Sequence, residues 1–247
     1  MQICAIIPAR YQSSRFPGKP LVDIGGKSLL NRTWEQVQKC SDITRTIIAT
    51  DDERIFKHAL SFGAEVIMTS KECPTGSDRL AEVVHKKPEL LSYDVIINVQ
   101  GDEPCIDPAT LSKVAFTLFN NTTASIATAI SAIQSEEDFH NPNLTKCVKA
   151  LSGKALYFSR GPIPASKKYS KGENGYRHLG IYAFRPNFLP IFAQLLPTPL
   201  MMYEDLEMLK AMEHGFDIFV TVVETQAPDV NSPEDIEKVL NWTKKSL

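Results

Sequence analysis

The sequence predicts an α/β fold built on a largely parallel central sheet flanked by helices, and three observations point to it. Short β-branched runs alternate with helix-period segments through the first half of the chain, the pattern of crossover units on a parallel sheet. The runs are continuously apolar instead of alternating, as strands covered on both faces are. An apolar fraction of 43% over 247 residues supplies enough material for one substantial core.

Ile3–Pro8 is the first expected strand, followed by Thr46–Thr50, Glu65–Thr69 and Asp94–Val99. Between them Leu29, Leu30, Thr33, Trp34 and Val37 recur at helical spacing, which puts Trp34 on the core-facing side. Ile55, Phe56, Ala59 and Leu60 form a second helical set, opened by Asp51-Asp52-Glu53, whose charges suit a helix N-terminus. Beyond Asn120 the pattern changes: Ser125–Ala132 and Lys146–Ala150 read as strands, and Leu156–Tyr157 and Ile181–Phe184 as shorter ones. Pro164–Tyr176 is rich in Lys, Ser and Gly, has little to bury, and reads as an exposed, mobile loop. Helical patterns at Phe188–Leu196 and Tyr203–Glu213 precede a strand at Ile218–Val223. A last helix opens at Ser232-Pro233-Glu234-Asp235, with Ser as N-cap, Pro at the first helical position and acids in the first turn.

Charge and cysteine usage narrow the function. Lys and Arg number 27 against 29 Asp and Glu, a balance that gives neither a nucleic acid nor a membrane surface a reason to bind, so any anion site must be a local cluster. No apolar run approaches the roughly 20 residues that cross a bilayer, and Met1 to Arg10 is too short and too soon charged for a signal peptide. The expected location is the cytoplasm. Cys4, Cys40, Cys73, Cys105 and Cys147 are odd in number and contain no C-x-x-C pair, which argues for reduced, mostly buried thiols over disulfides or structural zinc. His58, His85, His140 and His214 show no metal-ligand spacing.

Two segments carry chemistry. The first strand runs into Pro8-Ala9-Arg10-Tyr11-Gln12-Ser13-Ser14-Arg15-Phe16-Pro17-Gly18-Lys19, where ligands of open α/β sheets bind. Its cations, interleaved with small residues, suit phosphate oxygens, yet neither G-x-x-x-x-G-K-[ST] nor G-x-G-x-x-G occurs. The second is Asn98-Val99-Gln100-Gly101-Asp102-Glu103-Pro104, beyond an apolar strand on the same edge. Asp102 there either holds Mg²⁺ together with substrate phosphates or caps the helix that follows a Gly-Asp turn.

Together these segments resemble the CMP-sugar synthetase family, its Kdo synthetases in particular, over nearly the whole chain. The stretches that carry the likeness are Ile7–Leu21, Ala49–Ile55, Thr75–Arg79, Asn98–Ile106, Ala155–Pro164, His178–Arg185 and Leu206–Gly215. The resemblance implies a Rossmann-like nucleotidyltransferase fold in a single domain, with a nucleotide-binding half over about residues 1–120 and a sugar-binding and dimerisation half over about 121–247 that carries a small inserted sheet. It implies a Mg²⁺-dependent homodimer that transfers CMP from CTP to an acidic sugar, Kdo, with release of pyrophosphate, for lipopolysaccharide biosynthesis. Placed on this sequence, Arg10 and Lys19 resemble triphosphate cations, with Ser13, Ser14 and Arg15 in the same loop. Gly76, Ser77, Asp78 and Arg79 resemble a loop that closes near the nucleotide, the backbone near Ala9 with Gln100 would read cytosine, and Asp102 would hold the metal. Arg160, His178 and Glu207 resemble the residues that hold the sugar. Arg10, Lys19 and Asp102 would be catalytic in an in-line attack by the anomeric hydroxyl on the α-phosphorus, with no separate general base identifiable.

The sequence departs from the family pattern at two places. Where relatives carry Gly-Val-Asp-Thr-Pro, whose Asp is a second metal ligand, this chain has Asp229-Val230-Asn231-Ser232-Pro233, so either the amide of Asn231 or the carboxylate of Asp229 completes the site. Lys210 stands where relatives often have Arg, a point charge for a fork. A synthetase for another acidic sugar such as sialic acid is the nearest rival, while a glycosyltransferase would want an Asp-x-Asp that Gln100-Gly101-Asp102 does not supply. A non-catalytic nucleotide-binding regulator is the third reading. Phe184, Phe188, Leu189, Phe192 and Leu195 are candidates either for the dimer surface or for the core.

Overall fold

The computed structural model of the chain describes residues 1–12, 16–165, 175–225, 227–230 and 232–245. Ser13, Ser14, Arg15, Asn231 and most of the expected Pro164–Tyr176 loop lie outside the described residues. The described strands are β1 (Ile3–Ala9), β2 (Arg45–Thr50), β3 (Glu65–Met68), β4 (Val95–Asn98), β5 (Ala124–Ala132), β6 (Lys146–Lys149), β7 (Ala155–Ser159), β8 (Tyr176–Phe184) and β9 (Asp217–Val222). The helices are α1 (Leu29–Gln38), α2 (Glu53–Ser61), α3 (Gly76–Lys86), α4 (Pro108–Asn120), α5 (Glu136–His140), α6 (Leu189–Gln194), α7 (Pro199–Glu204), α8 (Met208–Glu213) and α9 (Asp235–Lys245).

The sheet runs in the order β3-β2-β1-β4-β8-β5-β9, with β6 on β8 and β7 on β6. β1 pairs in parallel with β2 and β4, β2 with β3, and β5 with β9, while β8 is antiparallel to both β4 and β5. Side chains alternate across a strand, so β1 divides its apolar residues between two cores. Ile3, Ala5 and Ile7 pack with α1, α2 and α4 on one face, and Cys4 and Ile6 with α3, α6 and α8 on the other. Such covering is why these strands read as unbroken apolar runs. The parallel strands β1, β2 and β4 end at one edge, and there the chain passes close to itself. A Cβ on Gly101 would lie 3.0 Å from the Pro8 carbonyl oxygen, so glycine is what lets the loop after β4 pass beneath the end of β1.

The first four strands agree with the sequence reading to within a residue or two at each end, and Trp34 packs on the core against Phe62 at 5.3 Å. Four expectations are corrected. Gly76–Arg79 is the first turn of α3 instead of a loop, because Thr75 caps it: its hydroxyl accepts from Asp78 N and the Asp78 carboxylate accepts from Thr75 N. β8 is a nine-residue strand, begun at Tyr176, in place of the short Ile181–Phe184, since β5, β4 and β6 all share its hydrogen bonds. The helical pattern over Tyr203–Glu213 breaks into α7 and α8 at Asp205, whose φ of 51° is left-handed. The last helix starts at Asp235, whose carboxylate accepts from the amide and hydroxyl of Ser232. Phe184, Phe188, Leu189 and Phe192 are buried with Leu195 against them, so this set is core and not a dimer surface.

Candidate active site

The ends of β1 and β4, the turn at Lys19 and the start of α3 enclose one crevice. Ala9, Arg10, Lys19, Gly76, Arg79, Gln100, Gly101 and Asp102 line it with Pro8, Pro20, Cys73 and Thr75. Seven of the residues singled out from the sequence therefore meet in one place. The amino end of α3, an 11-residue helix, opens onto this crevice through Gly76, and unpaired amides there suit an anion. Gln100 faces two glycines: a Cβ on Gly76 would lie 3.9 Å from its Nε2, and one on Gly180 would lie 3.6 Å from its Cγ.

Arg79, 3% exposed, spends its guanidinium inside the protein. It donates to Asp51 Oδ2 at 3.0 Å, to the Thr69 hydroxyl and to the Ser70 carbonyl, tying α3 to the ends of β2 and β3. Asp78 is likewise occupied by the cap. Burial pushes the Cys73 thiol up to about 12, with the Glu82 carboxylate it donates to adding to the rise, so it lines the crevice as a neutral group.

Lys19 ties three segments together. Its ammonium donates to Asp102 Oδ2 at 2.6 Å and to the Val230 carbonyl at 2.9 Å, and Val230 N donates to the Asp102 carbonyl at 3.0 Å. Asp229 is brought beside Asp102 in this way. Among the described residues no three His, Cys, Asp or Glu side chains group to hold a metal by themselves. The donor set on offer is one part-exposed carboxylate at the mouth of an anion-binding crevice, which fits a cation such as Mg²⁺ that is completed by substrate phosphates and water. Glu103, next in the chain, is pushed up to about 8, first by burial and then by the charges of Asp102 and Asp229.

The residues assigned to the sugar lie along the neighbouring β8 and the α7–α8 junction. Glu207 accepts from Thr75 Oγ1 at 2.9 Å and Ser77 Oγ at 3.0 Å, with the Lys210 ammonium 3.6 Å away. Burial nonetheless raises its carboxyl above the ordinary range. Lys210 also sits over the Phe192 ring at 4.2 Å, a site where an ammonium serves without a fork. His178 packs edge-on against Phe158 and tilted against Tyr182, and burial lowers its pKa to about 4. The Thr128 hydroxyl gives its proton to the Ile181 carbonyl at 2.7 Å, so His178 Nε2 is the donor in their 2.9 Å contact and Nδ1 is left as an acceptor.

Arg160 stands apart from the crevice, and its guanidinium has partners of its own. Nε donates to the Glu204 carbonyl at 2.7 Å, Nη1 to the Pro142 carbonyl at 3.3 Å, and Nη2 to the carbonyl and carboxylate of Asp205 at 3.1 and 3.4 Å. Its own carbonyl accepts from the fully buried Lys146, whose ammonium also reaches the carbonyls of Asn141 and Leu144. Arg160→Ala is expected to lower stability by about 1–2 kcal/mol, since charge-assisted bonds are lost but the side chain is part-exposed. Thermal unfolding of the variant measures this.

Sequence reasoning left several site residues unassigned. Thr75 heads a T-x-x-D capping box that was legible in the sequence. Tyr182 reaches this region because β8 inserts beside β4, opposite Asn98, and no local signal announces that. Val230 enters through its backbone alone.

A family profile described as cytidylyltransferase matches residues 4–220. The chain is 47% identical over 246 residues to the 3-deoxy-manno-octulosonate cytidylyltransferase of Protochlamydia amoebophila, covering 99% of this chain and 95% of that one. It is 43% identical to the mitochondrial 3-deoxy-manno-octulosonate cytidylyltransferase of Arabidopsis thaliana, covering 96% of this chain and 82% of the relative. Among solved structures, a CMP:2-keto-3-deoxy-manno-octonic acid synthetase complexed with CTP superimposes with a TM-score of 0.93 at 36% identity, with all of both chains covered. The crevice at the ends of β1 and β4 is thus set in the fold of a nucleotidyltransferase, and the chain belongs to the cytidylyltransferase family.

Proposed function

We propose that this enzyme transfers CMP from CTP to the anomeric hydroxyl of Kdo, releasing CMP-Kdo and pyrophosphate. The observation that carries the reading is the near-full-length likeness to relatives of that name, coupled with a crevice whose cations and carboxylate suit a nucleoside triphosphate. Arg10 and Lys19 offset charge that develops on the leaving pyrophosphate, and the amides at the start of α3 bind phosphate oxygens. Gln100 and the backbone at Ala9 read the base. Mg²⁺ held at Asp102, with Asp229 or Asn231 in support, supplies charge neutralisation and a lowered pKa for the attacking hydroxyl. The neutral His178 offers Nδ1 to a sugar hydroxyl, Glu207 accepts from others, and Arg160 meets the sugar carboxylate by exchanging its long contacts to Asp205 and Pro142. Ser13, Ser14 and Arg15 belong to the same phosphate loop.

Two further features of the reading concern setting and assembly. Among the described residues no helix is long and apolar enough to cross a membrane, and all five cysteines are free, which supports the cytoplasm as the place of action. A homodimer is supported by the exposed apolar side chains of Leu200, Met202 and Tyr203 on α7, with Leu156 on β7. Pyrophosphate release is the test: CTP with Kdo should give it, and CTP with sialic acid should not. Release with sialic acid and not with Kdo would transfer the assignment to the rival sugar. Arg160→Ala is further expected to raise KM for the sugar several-fold more than KM for CTP, as loss of a carboxylate partner requires.

A further inference from the structure

Three consecutive residues at the start of α3 face two ways. Thr75 and Gly76 line the nucleotide crevice, while the Ser77 hydroxyl donates to Glu207 Oε2 and the Thr75 hydroxyl lies between its cap partner Asp78 Oδ2, at 2.7 Å, and Glu207 Oε1, at 2.9 Å, more than a hundred residues away in the chain. Ser77 is 1% exposed and Glu207 Oε2 accepts its hydroxyl, so that hydroxyl is directed away from the nucleotide and towards the sugar side. A carboxylate has about four acceptor positions, and with Thr75 and Ser77 on two of them and Lys210 3.6 Å from Oε1, room is left for a sugar hydroxyl. Glu207 itself sits where the chain is least able to fix it, at the head of a six-residue helix just after the left-handed Asp205. Its hydrogen bonds come from outside, from the start of α3, with Lys210 of its own helix at a longer 3.6 Å.

We propose that Thr75 and Ser77 are positioning residues that aim the Glu207 carboxylate at the acidic sugar and so couple the two substrate sites. The proposal rests on the assignment of Glu207 to the sugar. Nucleotide phosphates that settle on the amides around Gly76 fix the 75–77 backbone, and the same backbone carries the two hydroxyls that hold Glu207. Binding at either site then favours binding at the other by the same factor, since such coupling is reciprocal.

The test uses the whole chain, Kdo, and the α,β-methylene analogue of CTP, which binds without reacting. In the wild type, saturating analogue should tighten Kdo by about fivefold or more, and Kdo should tighten the analogue equally. Ser77→Ala, which leaves the helix cap intact, should bring that factor close to one, raise KM for Kdo and leave the affinity for the analogue alone within about threefold. Thr75→Val should act likewise, with some loss of stability from the cap, and Thr75→Ser should restore the wild-type factor. An absent factor in the wild type, an unchanged factor in Ser77→Ala, or an equal loss of Kdo and analogue binding would overturn the proposal. Failure of the wild type to release pyrophosphate from CTP and Kdo would overturn the functional assignment instead, and the two results are read in separate assays.

Discussion

Asp102→Asn is expected to reduce turnover by roughly 10³-fold or more, because a bound metal supplies several kcal/mol of charge stabilisation and this carboxylate is the charged donor the crevice presents. The fold should persist. The amide oxygen can still accept from Lys19, and a part-exposed ion pair of this kind contributes about 1 kcal/mol or less. Mg²⁺ titrations of companion variants separate two versions of the site. If Asn231 is a weak second ligand, Asn231→Asp lowers the half-saturating Mg²⁺ concentration, since ligand charge tunes affinity for a hard cation. If Asp229, held beside Asp102 through Val230, supplies the second carboxylate, Asp229→Asn is nearly as damaging as Asp102→Asn and Asn231→Asp is close to neutral. Unchanged Mg²⁺ dependence in all three removes the metal role from this crevice.

Lys19→Ala should lower kcat/KM by roughly 10²-fold or more, the cost of removing a charged donor that acts on developing negative charge. The structure adds a second consequence. Without the ammonium, Asp102 loses its 2.6 Å partner and the Val230 carbonyl its 2.9 Å donor, so the stretch that carries Asp229 is less firmly held. Lys19→Arg should recover only part of the activity, because a larger planar guanidinium does not reproduce the 2.6 and 2.9 Å contacts of a compact ammonium in the same space. Near-normal kinetics with CTP in Lys19→Ala would contradict the assignment, and limited proteolysis of residues near 230 would report the loosened segment.

Much of this architecture was legible because its causes are local. Continuous apolar runs marked β1, β2 and β4, and their ends marked the edge where Arg10, Lys19 and Asp102 meet. The capping box at Thr75 is equally local, and it makes Gly76–Arg79 the first turn of α3 where the family likeness implies a loop. What the sequence did not disclose is long-range. The reach of Lys19 from the phosphate loop to Asp102 and Val230, that of Thr75 and Ser77 to Glu207, and the contacts of Arg160 with Glu204 and Asp205 all join segments distant in the chain. Neither periodicity nor spacing encodes such partners. The break at Asp205 likewise interrupts an apolar pattern that continues through Tyr203–Glu213, so only the backbone reveals it.

The insertion of β8 between β4 and β5 also has a consequence during synthesis. β1, β2, β3 and β4 pair in parallel among themselves, but the outer edge of β4 waits for Tyr182, Ala183 and Phe184. At about 5–20 residues per second, the roughly 80 residues between those partners take about 4–16 s to appear. Throughout that interval the ribosome-bound chain presents Ile96 and Ile97 on an unpaired apolar edge, the feature that finished proteins cover or charge. Chains arrested before residue 176 should accordingly be captured by holdase chaperones and cleaved readily, and chains arrested after residue 184 has left the ribosome should be protected; equal capture of both would contradict the account. The vulnerable state of this enzyme is therefore a matter of timing, set by when the strand that joins β4 to β5 appears.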